Sequence, residues 1–368
     1  MSDDDLPEPD RIDGAPHPRE TVQLLGQDRA VSDFLDTHAS GRMHSGWLIT
    51  GPRGVGKATL AWKIATFLLA APEPGMFGDP SLDVDPDHPD ARLIQSGAHP
   101  RLAVIKRPVD DKTKQLKSEI TVDAVRRLKT FFQMSAADGG QRVVIVDAAD
   151  ELNRNAANAI LKELEEPPAQ TTILLIAHQP SRLLPTIRSR CRELRCQTLS
   201  HDMLGQALRQ AGFPDQNNES LSVLASGSAG DAIRLLNQDG LSLYADIVKT
   251  IEGLPRVNRP AALRLADSCV GKAGATRFLL TLDLLDLFLS RAARAGLMGE
   301  PSAQACTGEA RLLARISPDD WAARKWAQLQ QDLSQRSRHG RAVNLDPAAL
   351  ILDMIFKIEE TAQGVAAA

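Results

Sequence analysis

Seven residues, Gly51-Pro-Arg-Gly-Val-Gly-Lys57, combine three glycines with a lysine at a spacing suited to phosphate chemistry. Gly51, Gly54 and Gly56 let the backbone turn its amides toward an anion in conformations that a side chain forbids. Lys57 adds a point charge for β- and γ-phosphates, and a helix from about Ala58 aims its positive end at the same place. The pattern G-x-x-x-x-G-K ordinarily continues with Ser or Thr, whose hydroxyl holds Mg²⁺. Here the next residue is Ala58. Thr59 carries a hydroxyl, but one helical step turns it by about 100°, so Mg²⁺ is poorly provided for. The competing reading is a glycine-rich strand-to-helix turn that binds nothing.

A second chemical position lies downstream. Val143-Val144-Ile145-Val146 is a β-branched apolar run that reads as a parallel strand buried on both faces, and it ends in Asp147. Ligands of open α/β sheets bind at that carboxyl edge. Asp147 is therefore a candidate to help hold Mg²⁺ beside the phosphates. The following position, where a carboxylate would orient an attacking water, is Ala148. Asp150 lies two residues further and is no simple replacement. With the hydroxyl and the general base both absent, hydrolysis should fall by several orders of magnitude while binding of ATP survives.

The elements that must position these groups follow from pattern and punctuation. Residues 1–17, acidic and proline-rich, predict a disordered tail. Leu24-Leu25-Gly26-Gln27, then Ala30, Phe34 and Leu35, read as a turn feeding an amphipathic helix. Trp47–Thr50, Leu102–Ile105, Thr172–Ala177 and Arg192–Cys196 read as further strands. A helix capped by Asn153 runs through Ala156, Ala157, Ile160, Leu161 and Leu164 until Pro167-Pro168 stops it. Residues 71–100 are a proline- and aspartate-rich insertion without cysteine, so no zinc is expected, and His88 and His99 read as solvated loop residues. Lys106, Arg107, Lys112, Lys114 and Lys117 form a basic loop, by default a solvated turn, with DNA contact the minority reading. From Ser200, itself a helix cap, the chain is helical, with long apolar runs such as Phe278–Leu289.

The order of phosphate loop, VVIVDAAD, LNRNAANAILKELEEPP and, after the next strand, Ser189-Arg190-Cys191 resembles bacterial clamp loader subunits of the AAA+ family, most strongly over residues 18–198. The resemblance implies an α/β P-loop domain with a parallel sheet over 18–198, a helical lid over 199–244 and an all-helical collar for oligomerisation over 245–368. It implies that the Ser-Arg-Cys arginine, Arg190, points toward a neighbour's γ-phosphate, catalytic in trans. A planar, permanently charged fork suits that task. A structural salt bridge is the other reading of Arg190. His178 falls at the family's polar sensor position, with packing or surface hydration as the other reading. The lid arginine of the motor subunits is replaced, since Gly227-Ser228 is followed by Ala229 and Gly230.

The implied partners are gamma/tau and delta subunits, with the sliding clamp and primed DNA reached through the complex. The implied role is that of a stator in the DNA polymerase III holoenzyme, without ATPase activity of its own. The alternative is an active motor subunit of gamma/tau type, against which Ala58 and Ala148 count. A signalling or repair AAA+ protein outside replication would need a different C-terminal domain.

Composition bounds these readings. The 368 residues exceed one ordinary core and suggest two or three domains. A formal net charge of −4 gives no global attraction to nucleic acid, so any DNA contact must be local. Cys191, Cys196, Cys269 and Cys306 lack metal-ligand spacing and read as free thiols of a reducing cytoplasm. No apolar run is long enough for a membrane span, and the acidic N-terminus is unlike a signal peptide. The expected location is the cytoplasm, with no membrane partner.

Overall fold

The computed structural model describes residues 8–70, 81–110, 112–134, 140–214 and 219–367. Contacts divide the chain into two compact units, Met1–Gln216 with Gly227–Asp231, and Asn217–Ser226 with Ala232–Ala368.

The first unit is built on five parallel strands among the described residues: β1 (Gly46–Thr50), β2 (Leu102–Lys106), β3 (Arg142–Asp147), β4 (Thr171–Ala177) and β5 (Arg192–Arg195), in the order β2-β3-β4-β1-β5. β1, β3 and β4 are buried almost throughout because helices cover both faces of the sheet. Side chains alternate between those faces. Val143 and Ile145 join Trp47, Ile49, Leu60 and Ile64 on one side, whereas Val144 and Val146 join Leu48, Ile160 and Leu175 on the other. The helices are α1 (Asp28–Ala39), α2 (Lys57–Ala70), α3 (Pro89–Gln95), α4 (Val122–Met134), α5 (Arg154–Glu165), the single turn α6 (Pro185–Arg188) and α7 (His201–Gln210). The Asn153 side chain accepts from Ala156 N at the start of α5, and Ser200 caps α7 at Met203 N, which satisfies amides that a helix start leaves open.

Three expectations change. The acidic tail is anchored over residues 8–17: Asp10 and His17 side chains are 2% and 1% exposed and lie 3.0 Å apart. A buried Asp10–His17 hydrogen bond does here what apolar residues do elsewhere. Residues 1–7 lie outside the described residues, as do 71–80 of the insertion. The rest of that insertion contains α3, which starts at Pro89, where proline's missing amide costs nothing, and buries Ala91 and Ile94. His88 and His99 are not loose loop residues. The His88 ring caps α3 at Asp90 N, and buried His99 meets Asp90 at 3.1 Å. In the basic loop, Lys106 pairs with Asp10 at 2.9 Å and Arg107 with Glu151 at 2.8 Å, which leaves a smaller positive surface.

The second unit is helical: α8 (Glu219–Ala225), α9 (Ala229–Asn237) from Ala232 onward, α10 (Gly240–Ile251), α11 (Arg259–Asp267), α12 (Gly271–Met298), α13 (Glu309–Ile316), α14 (Asp320–Ala342) and α15 (Pro347–Ala366). Phe288 and Leu289 of α12 and Trp326 and Leu333 of α14 are fully buried. Trp326 donates to Ile316 O at 2.8 Å, whereas Trp321 remains 44% exposed. The cut between units falls inside the expected lid, with α7 on the sheet side and α8 on the helical side. No described helix is long and apolar enough to cross a membrane.

Candidate functional site

β1 delivers the chain into the glycine loop at the carboxyl edge of the sheet, and α2 leaves it at Lys57. Gly51, Gly54 and Gly56 have φ of 138°, 72° and 102°, a region that favours residues without Cβ. Contact adds a second constraint, because a Cβ on Gly54 would collide with the Ser228 hydroxyl and with Gly230. The segment 227–231 is hydrogen-bonded to the loop: Ser228 Oγ donates to Arg53 O at 2.9 Å and Gly230 N to Gly54 O at 3.0 Å. On the other side, Gln27 Nε2 donates to Val55 O and Gln197 O, both at 2.9 Å, and Gln197 N donates back to Gln27 Oε1. Gln27 thus ties the loop to the end of β5. Its partners lie 28 and 170 residues away, so nothing local in the sequence announces this tie.

Lys57 is 3% exposed and donates to Gly51 O at 2.8 Å and to Pro52 O. Burial pulls its pKa down to about 8, against the opposing charges of Asp147 and Asp150. Asp147 sits at the end of β3, in register with Lys106. Burial first, then the charges of Asp10 and Glu151, push its pKa up to about 7 despite Lys57 and Lys106. Ala58 packs against the core and Thr59 is half-buried beside it.

Beyond Asp147, Asp150 is 8% exposed and accepts His178 N at 3.0 Å and Gln179 N at 3.1 Å. It clips the end of β4 to the end of β3, a structural task that leaves it unsuited to activating water. The His178 ring beside it has its pKa pulled down to about 4, by burial first and then by the Lys57 charge.

These groups suit a phosphate better than a metal. The glycine loop, Lys57 and the start of α2 lie together at the carboxyl edge of β1, the kind of donor set an anion needs. The residue after Lys57, Ala58, lacks the hydroxyl that ordinarily holds Mg²⁺ beside such a loop.

Arg190 lies at the opposite, amino edge of the sheet, with its carbonyl beside Gly46 at the start of β1. It precedes β5, is 38% exposed, and its guanidinium meets Glu165 Oε1 at 2.8 Å and Thr186 O at 3.0 Å. Ser189 is exposed beside it, while Cys191 is half-buried and packs against the core, where burial pushes its thiol up to about 12.

Phosphate loop, carboxylate-ended strand and five-stranded parallel order define an α/β protein of the AAA+ type. Residues 26–200 match the family described as DNA polymerase III, delta subunit. The DNA polymerase III subunit delta' of Pseudomonas aeruginosa is 34% identical over 230 residues, which cover 60% of this chain and 64% of that protein. The subunit delta' of Escherichia coli is 32% identical over 56% of this chain and 58% of its own length. The subunit tau of Salmonella typhimurium is 30% identical over 60% of this chain and 33% of its own. In each case the match spans less than two thirds of the relative. The chain resembles the delta prime subunit of the bacterial DNA polymerase III clamp loader.

Proposed function

We propose that this chain is a clamp loader subunit of the delta prime kind, acting in the cytoplasm within an assembly of gamma/tau and delta subunits. That assembly loads a sliding clamp onto primed DNA, and this chain contributes Arg190 to a neighbour's ATP site. The observation that carries the reading is the pairing of two features within one chain. Its own loop has an anion cradle but lacks the hydroxyl after Lys57 and a carboxylate after Asp147, and its Ser-Arg-Cys arginine is solvent-facing.

In this reading Gly51, Gly54, Gly56 and Lys57 hold phosphates, with Thr59 and Asp147 at the rim. When bound, ATP supplies a polyphosphate but meets no group placed to activate water. Arg190 acts elsewhere, since a guanidinium that reaches a γ-phosphate from outside stabilises charge developing in transfer. Glu165 and Thr186 O hold that guanidinium at the surface until a neighbour replaces them.

The similarity to a tau subunit favours a second reading, a gamma/tau-like motor, which Ala58 and Ala148 oppose. Mixing the purified chain with gamma/tau and delta subunits of its own organism separates assembly from its absence. Elution as one complex by size exclusion is expected. A chain that elutes alone with every such partner contradicts the proposal.

A further inference from the structure

Residues 8–17 have no part in the arginine's task and carry one large apolar side chain, Ile12, yet they are pinned at the carboxyl edge of the sheet. Lys106 Nζ, at the end of β2, donates to Asp10 Oδ1 at 2.9 Å and to Glu8 Oε1 at 3.1 Å. Because Lys106 stands opposite Asp147 in the sheet, Asp10 is fixed on the β2–β3 side of the candidate site. Two residues on, Ile12 is on the other side. A Cβ built on Gly230 would lie 3.1 Å from Ile12 Cδ1, and Gly230 N is bonded to Gly54 O. The backbone between Asp10 and Ile12 therefore crosses from the Asp147 side to the glycine-loop side. Turn bonds, Arg11 N to Glu8 O and Ala15 N to Ile12 O, keep the segment folded. Its far end is held by His17, whose ring lies edge-on to Trp62 of α2 at 5.7 Å and caps the 3-10 turn Pro18–Glu20.

We propose that residues 8–17 form a built-in strap that closes the phosphate loop to nucleoside triphosphates, so that nucleotide enters only when the strap swings out about His17. Two effects oppose nucleotide while it is shut. The chain occupies the approach to the loop, and Glu8 and Asp10 present carboxylates to a polyanion while engaging Lys106, the cation that would otherwise face it. Affinity then falls in proportion to the fraction of molecules with the strap open. This is separate from the missing hydroxyl at Ala58, which weakens the hold on a metal but leaves access unaltered. The nearby donor atoms of Glu8, Asp10 and His17, within 4.8 Å of one another, suit a divalent cation poorly because the Lys106 ammonium already sits among them.

The inference rests on Gly51–Lys57 being a phosphate site and is independent of any partner subunit. The test uses the full chain alone, wild type and Asp10→Asn/Ile12→Gly, titrated with a fluorescent ATP analogue without Mg²⁺, with a melting curve to verify folding. The strap predicts at least about tenfold tighter binding by the variant, abolished when Lys57→Ala is added. Equal or weaker binding by a folded variant, or tighter binding that survives Lys57→Ala, overturns it. Binding by neither chain also overturns it, without touching the arginine-donor reading. Should the variant fail to fold, hydrogen exchange on the wild type decides. Amides of residues 8–17 should lose protection as millimolar analogue is added, and unchanged or greater protection contradicts the strap.

Discussion

Asp150 shows how one carboxylate can look catalytic and be structural. Its position past the strand edge already makes it no simple replacement for a base, and both oxygens are engaged by the His178 and Gln179 amides. Asp150→Ala should therefore destabilise the chain by about 1–3 kcal/mol, since two charge-assisted bonds to part-buried amides are lost. Urea denaturation of the purified variant checks this, and an unchanged midpoint contradicts it. His178 sets a pH dependence. Its folded pKa, near 4, lies below the ordinary 6.5, so the unfolded chain takes up a proton first as pH falls. Its contribution is present above about pH 6.5 and is lost progressively toward pH 4. His178→Gln should flatten that limb of the stability curve. An acid limb as steep as that of the wild type sinks the assignment.

Strands and caps were readable where the determinants are local. The β-branched run before Asp147 marks β3, and Asn153 and Ser200 cap the helices that their positions suggest. Anchoring of residues 8–17 was not readable, because Asp10, His17 and Lys106 meet across about 96 residues of chain with no periodicity to announce it. The helix α3 was hidden for another reason. Proline and aspartate dominate its surroundings, and only Pro89 as a first helical residue marks its start. In the helical unit the same rule holds for Glu309, which is fully buried between α10, α12 and α13. It accepts from Tyr244 Oη at 2.5 Å, Arg291 Nε at 2.7 Å and Ala305 N at 2.6 Å. Glu309→Ala leaves the Arg291 guanidinium without its carboxylate in a largely buried place, a loss of about 3–5 kcal/mol. A thermal melt that shifts by no more than that of a surface variant contradicts this network.

In the proposed reading, a phosphate loop without the hydroxyl after Lys57 or a carboxylate after Asp147 shares one chain with the exposed Arg190, and nucleotide binding and hydrolysis fall to different subunits. The turn at Gly51, Gly54 and Gly56 was legible because three glycines in seven residues mark a backbone that needs positive φ, which all three adopt. The Glu165–Arg190 pair was not, since it depends on how α5 packs beside the turn before β5. Alone, the chain is expected to turn ATP over far more slowly than the ordinary enzymatic rate of about 10 per second. A phosphate-release assay at that rate would return Asp147 and Thr59 to a motor's active site.

The most direct measurement pairs two assays on Arg190→Ala. Both members of the Glu165 pair are about two-fifths exposed, so the variant alone should melt within about 1 kcal/mol of wild type. Reconstituted with gamma/tau, delta, clamp and primed DNA, it should lose clamp-stimulated ATP hydrolysis, by about 10³- to 10⁵-fold at the one site it serves. A variant that melts early on its own, yet leaves the assembly hydrolysing ATP and loading clamps at the wild-type rate, would make Arg190 a structural salt bridge and contradict the account.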